Sequence, residues 1–161
     1  MKIIVFSDSH GNSRVINRVL SMHADTSGYA IHLGDGAYDF LAIAPLYKNL
    51  RFAAVAGNCD RASSMTAPTE LLLSIDNFRL SLCHGHKYGV KFGTARLIKY
   101  AADAGADIAL FGHTHKAYEA FIPDAGGGRP IRLFNPGAAV AGSFGLIEIK
   151  DGSMLMSHGV I

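Results

Sequence analysis

Residues 3–12 read IIVFSDSHGN. Four apolar residues, Ile3 to Phe6, run straight into Ser7, Asp8, Ser9, His10 and Gly11. A short apolar run bounded by glycine reads as a buried strand. Burial gives no reason for such a strand to end in an aspartate and a histidine two positions apart. The same ending returns along the chain. Leu33 is followed by Gly34-Asp35-Gly36, Ala56 by Gly57-Asn58-Cys59-Asp60, and Cys83 by His84-Gly85-His86. Phe111 is followed by Gly112-His113-Thr114-His115, and Phe134 by Asn135-Pro136-Gly137. In open α/β sheets ligands sit outside the carboxyl ends of the strands. If these strands are neighbours, their loops converge on one rim.

The hydrophobic pattern supplies the strands. They are expected at residues 2–6, 29–33, 51–56, 70–75, 78–83, 107–111, 116–122, 131–134, 144–149 and 153–157. Asp76-Asn77 and Asp151-Gly152 read as hairpin turns. Helices are expected over Ser13–Ala24, Asp39–Lys48 and Thr94–Ala104. The first carries Val15, Ile16, Val19, Leu20 and His23 on one stripe. The order βαβαβ, a hairpin, a helix and a run of strands predicts an α/β fold with mixed sheets. With 161 residues, a single domain over 1–161 is expected.

Composition narrows the function classes. The formal net charge is +2 and no basic run occurs, which argues against a dedicated nucleic-acid surface. Cys59 and Cys83 are too few for a disulfide framework. No apolar run reaches membrane-spanning length, and Ile3 to Phe6 is too short for a signal peptide. The cytoplasm is therefore the expected compartment. Self-association is left open.

The chemistry lies in the residue types at the strand ends. Aspartate, asparagine and histidine offer oxygen and nitrogen ligands for divalent transition metals. Cysteine is nearly absent from the set, which disfavours a structural zinc or iron–sulfur site. Asp8 and His10 are two apart, as are His113 and His115, and in extended backbone such residues project to the same side. Seven candidate ligands exceed the need of one ion with open positions, so two ions are expected.

The motifs Asp8-x-His10, Gly34-Asp35, Gly57-Asn58-x-Asp60, His84-Gly85-His86 and Gly112-His113-x-His115, in this order, resemble those of the calcineurin-like metallophosphoesterases. The chain's size and its Gly-Asn-Cys-Asp form resemble the small bacterial and archaeal phosphodiesterase branch. The resemblance spans Ile3 to about Gly137 and implies a four-layer αββα sandwich of two mixed β-sheets flanked by helices. It places the late strands, from Lys116 to Ser157, in the second sheet. It implies that Asp8, His10 and His115 hold one metal, that Asn58, His84 and His113 hold a second, and that Asp35 bridges both. Mn2+ is the first candidate, with Fe, Zn2+ and Ni2+ as alternatives.

The implied reaction is hydrolysis of a small phosphodiester by a metal-bridging hydroxide, formed at neutral pH because the metals lower the pKa of water. The formal charges of two divalent ions, Asp8, Asp35 and a hydroxide leave a single net positive charge, which suits an anionic phosphate. Many relatives carry a histidine where this chain has Cys59, and a neutral thiol is a poorer aid to the leaving group. Relatives often continue Asn-Pro-Gly with serine, whereas Ala138 stands here. Cys59, Asp60 and His86 are expected near the centre, with roles left open. His32, His23 and His158 read as structural. Arg61, Lys87 and Lys91 flank the ligand segments and are candidates for contacting phosphate. Two other readings compete. One is a non-enzymatic interaction scaffold like the metallophosphoesterase-like subunit of retromer, and the other is a nuclease. The intact ligand set favours an enzyme, and the lack of a basic groove or added domain disfavours a nuclease.

Overall fold

The computed structural model describes residues 1–60 and 67–161. One sheet contains β1 (Lys2–Phe6), β2 (Tyr29–His32), β3 (Arg51–Ala54), β9 (Ser143–Lys150) and β10 (Ser153–Val160), in the order β10-β9-β1-β2-β3. The other contains β4 (Glu70–Ile75), β5 (Phe78–Cys83), β6 (Ile108–Leu110), β7 (Ala117–Ile122) and β8 (Ile131–Pro136), in the order β4-β5-β6-β8-β7. Strands β1, β2 and β3 are parallel, with Val5 beside Ile31. Strands β5, β6 and β8 are also parallel, with Leu110 beside Phe134.

The period-2 alternation of strand side chains explains the layers. Ile3 and Val5 on β1 pack inward with Leu80, Leu82, Ile108 and Leu110 of the other sheet. Ile4 and Phe6 point the other way, onto Ile16, Val19 and Leu20 of α1 (Ser13–His23) and Phe40 of α2 (Ala37–Ala42). On the far face Ala109 and Leu133 meet Leu97 and Ala101 of α3 (Ala95–Asp103). The result is the expected αββα sandwich.

Three expectations need correction. The last two strands do not join the second sheet. β9 pairs antiparallel with β1, Lys2 beside Glu148, and β10 pairs with β9. This covers the edge of β1, whose residues 3–6 are fully buried, and seats Ile147 and Ile149 between the sheets. The second helix begins at Ala37 and ends at Ala42, followed by a short 3-10 turn over Ala44–Leu46. Pro45 lacks an N–H and disfavours helical backbone in the residue before it. The helix starts early because the carboxylate of Asp60, on another loop, accepts from Gly36 N–H at 2.8 Å and Ala37 N–H at 3.1 Å. Finally, β10 continues to Val160 because β9 supplies a partner for every residue, Val160 lying beside Ser143.

Candidate metal centre

The parallel strands of both sheets deliver their loops to one rim. The backbone there is unusual. Among the described residues, seven non-glycine positions have positive φ: Asp8, His10, Asp35, His113, His115 and the hairpin residues Asp76 and Asp151. Left-handed backbone is disfavoured for side chains with a Cβ and costs on the order of 1–3 kcal/mol at each such residue. Five of the seven are candidate ligands, with φ between 46° and 68°. The Asp8/His10 and His113/His115 pairs were expected to be extended. Instead, left-handed turns aim both members at the rim.

Asp8 is fully buried. Its Oδ2 accepts from Ser7 Oγ at 2.6 Å and from His113 N–H at 3.0 Å. Its Oδ1 makes no hydrogen bond, although His115 Nε2 lies 3.2 Å away and His84 Nε2 3.8 Å away. His10 Nε2 is 3.5 Å from His115 Nε2. Asp8, His10 and His115 therefore bring one donor atom each within 4.8 Å of one another. Asp8, Asp35 and His84 form a second such group, and His10, Asp35 and Cys59 a third.

Asp35 belongs to the last two groups. Its Oδ2 lies 3.3 Å from His84 Nε2, and its Oδ1 accepts from Cys59 N–H at 2.7 Å. Burial alone would raise its pKa, but the contact with His84 and the hydrogen bond from Cys59 N–H hold the carboxyl well below the usual carboxylate range. The His84 Nδ1–H donates to Leu33 O at 2.7 Å, which leaves Nε2 as the lone-pair nitrogen of the neutral ring. Nε2 is buried without a hydrogen-bond partner. Burial disfavours a charge on His84, yet the contacts with Asp35 and Asp8 outweigh it and raise its pKa.

The far side of the centre is drawn together less tightly. The His113 ring centroid is 5.0 Å from that of His84, and the His86 ring is 5.4 Å from His84 and 6.2 Å from His113. His86 Nδ1 is buried and unpartnered. Burial and the neighbouring His84 lower the pKa of both His86 and His113. Asn58 is exposed, and its amide donates to Cys59 Sγ at 3.3 Å. The hydrogen bond to Asp35 raises the Cys59 pKa, which keeps the thiol neutral.

The open role of Asp60 is resolved. Its carboxylate accepts four backbone N–H groups: Asp35 and Gly57 at 2.7 Å on Oδ2, Gly36 and Ala37 on Oδ1. It ties the β2 and β3 loops together and orients Asp35. Asn135 does the same for the His113 loop. Its amide donates to Gly112 O at 2.9 Å and Thr114 Oγ1 at 3.1 Å. His158, read as structural, hydrogen-bonds Asn135 O at 2.9 Å and stacks on Phe134. His32 is a buried neutral histidine: its Nδ1 accepts from Gly34 N–H, so its Nε2–H donates to Ser9 Oγ. Lys87 donates to Thr69 Oγ1 at 2.8 Å and approaches Glu70, so its ammonium is engaged away from the centre. Arg61 lies outside the described residues. The role of Ser7 was missed, because a serine beside an aspartate carries no distinctive signal. Two glycines allow the close approach. A Cβ on Gly112 would collide with Ser7 Oγ, and one on Gly57 with Asp35 Oδ1.

A sequence profile of the calcineurin-like phosphoesterase superfamily domain matches residues 1–158. This chain belongs to that superfamily. It is 32% identical over 140 residues to the probable metallophosphoesterase YsnB of Bacillus subtilis, covering 86% of this chain and 75% of YsnB. It is 29% identical to the phosphodiesterase YfcE of Escherichia coli K12, covering 100% of this chain and 87% of YfcE. A Streptococcus pneumoniae structure described as a predicted phosphoesterase superposes with a TM-score of 0.80 at 24% identity, covering 99% of this chain and 88% of that one. Vps29 from Entamoeba histolytica, complexed with Zn2+, superposes with a TM-score of 0.74 at 21% identity, covering 99% of each chain. These two likenesses show the shared fold. The superfamily implies divalent metal ions, and the donor set fits them. Asp8 Oδ1 and His84 Nε2 are buried and without hydrogen-bond partners, 3.8 Å apart, an arrangement that costs free energy unless a cation or proton is shared among them and their neighbours. Among the described residues, no helix is long and apolar enough to cross a membrane.

Proposed function

We propose that the protein is a dinuclear metal-dependent phosphodiesterase acting on small diesters in the cytoplasm. Asp8, His10 and His115 hold one ion, Asn58, His84 and His113 the other, and Asp35 both. Mn2+ is the first candidate, and Fe, Zn2+ and Ni2+ suit the same nitrogen and oxygen donors. The observation that carries this reading is the unpartnered pair Asp8 Oδ1 and His84 Nε2, lying where the two ligand groups meet.

When bound, the ions activate water as the nucleophile and neutralise charge on the phosphate. The chain's own residues prepare the ligands. Leu33 O fixes the tautomer of His84. Ser7 and His113 N–H hold one oxygen of Asp8 so that the other faces the centre. Asp60 and Cys59 N–H orient Asp35. The neutral Cys59 thiol brings no positive charge to a departing oxygen, so good leaving groups are favoured. The scaffold reading is less well supported, because all seven candidate ligand positions are intact, whereas a scaffold can tolerate their loss.

The test is hydrolysis of bis(p-nitrophenyl) phosphate by chelator-treated protein, with and without added Mn2+, alongside elemental analysis. Metal-restored turnover with two ions per chain is expected. Binding that saturates at one ion would rule out the dinuclear assignment. Tight metal binding with no turnover of any diester or monoester would favour the scaffold.

A further inference from the structure

Beside the candidate centre lies a groove of about 610 Å3, within the roughly 300–1,000 Å3 of typical small-molecule sites. Its floor is Phe111, and its wall is Tyr118, 40% exposed, whose ring meets Phe111 edge to face at 6.0 Å. Lys91 and Lys116 stand exposed at its rim. Among the described residues, neither ammonium forms a hydrogen bond or ion pair. Thr114, between His113 and His115, also lines the groove and joins it to the centre. Phe92, 98% exposed, lines a neighbouring depression with Tyr88 and Arg96 rather than this groove.

We propose that this groove binds one arm of the substrate, and that this arm is a nucleotide carrying a phosphate besides the scissile one. Tyr118 offers a face on which a flat base can stack, and stacking tolerates any base because every base has a π-face. Lys91 and Lys116 offer cationic ends for the extra phosphate. A purely apolar arm would leave both ammoniums without a counter-charge, and a simple alkyl arm would leave the Tyr118 ring uncovered. This inference rests on the phosphoesterase reading for its substrate, but the groove can be tested without turnover.

Three p-nitrophenyl diesters separate the contributions: one with a methyl arm, one with a nucleoside arm, and one with a nucleoside arm carrying a further phosphate. kcat/KM should rise along that series. Tyr118→Ala should remove about tenfold of the nucleoside's advantage. Lys91→Ala with Lys116→Ala should remove the advantage of the extra phosphate and flatten its salt dependence. A nucleoside bisphosphate titrated into the metal-free protein should shift the NMR resonances of Thr114, Lys116 and Tyr118. If the methyl diester is hydrolysed but the series is flat and those resonances do not move, the groove proposal falls and the phosphodiesterase reading stands. If no diester is hydrolysed but the resonances move and the lysine variants abolish the shift, the groove stands and the phosphodiesterase reading falls.

Discussion

The carboxylate of Asp60 accepts the backbone N–H of Asp35 at 2.7 Å. The residue whose side chain is proposed to bridge the two metals is thus held through its main chain by a residue from the next strand-end loop. Asp60 also accepts from Gly36, Ala37 and Gly57, so both of its oxygens are saturated by donors. An amide in its place would turn an NH2 toward two of those N–H groups. Asp60→Asn should destabilise the fold by about 2–4 kcal/mol and weaken metal binding at both sites. Urea denaturation and metal content of the folded variant measure the two effects. Unchanged stability would show that the four contacts carry no net weight.

Asp35→Asn and Asp8→Asn should differ. The first removes the proposed shared ligand, and both ions should be lost together. The second mainly weakens the ion held with His10 and His115. It also turns an amide toward Ser7 Oγ and His113 N–H, or else loses the open oxygen. Elemental analysis of the two variants, beside wild type, distinguishes them. An Asp35→Asn protein that keeps two ions and full turnover would remove Asp35 from the centre.

Metal affinity should rise with pH. In the metal-free protein the Asp35 and Asp8 contacts overcome burial and raise the pKa of His84, so a proton competes with the metal for Nε2. Below that raised pKa the apparent affinity should gain up to about tenfold per pH unit, because binding releases the proton. Without metal, the stabilising protonation of His84 is present below its unfolded pKa and is lost as pH rises through the folded value. Chelator competition at pH values spaced across neutrality reads the affinity. A flat profile would contradict the assignment of His84.

His32 carries the opposite sign. Burial pushes its pKa down to about 3 from 6.5. Between those values the unfolded chain binds the proton and the folded chain does not, so stability falls as pH drops below about 6.5, by at most about 1.4 kcal/mol per unit. Comparing urea midpoints of wild type and His32→Gln down to about pH 5, above the ordinary carboxylate range, isolates this group. The variant should lose less stability on acidification.

Cys59 should govern the leaving-group dependence. Its thiol is held neutral beside Asp35, so rates should fall steeply as leaving-group pKa rises. General acid help is typically worth about 10²–10⁴-fold, and Cys59→His should recover part of it for poor leaving groups. Cys59→Ser should change turnover modestly with both metals retained. Abolished turnover in a fully loaded Cys59→Ser protein would give the thiol a direct role.

The sequence by itself determined the family, the two mixed sheets and the inventory of donors. Apolar runs set the strands through period-2 burial, and residues such as Asp8, His84 and His113 stand next to those runs in the chain, so their place at strand ends is a local property. Tertiary structure decided the rest. That β9 pairs with β1, and β10 with β9, follows from covering an otherwise open edge, which local pattern does not encode. The left-handed backbone at five candidate ligands is held by contacts across the chain, such as His113 N–H to Asp8 over 105 positions. The grip of Asp60 on Asp35 spans 25 positions. The groove between Lys91, Phe111 and Tyr118 exists only because a loop following β5 folds beside the start of β7. Those pairings depend on packing between segments distant in sequence, so only the folded chain could supply them.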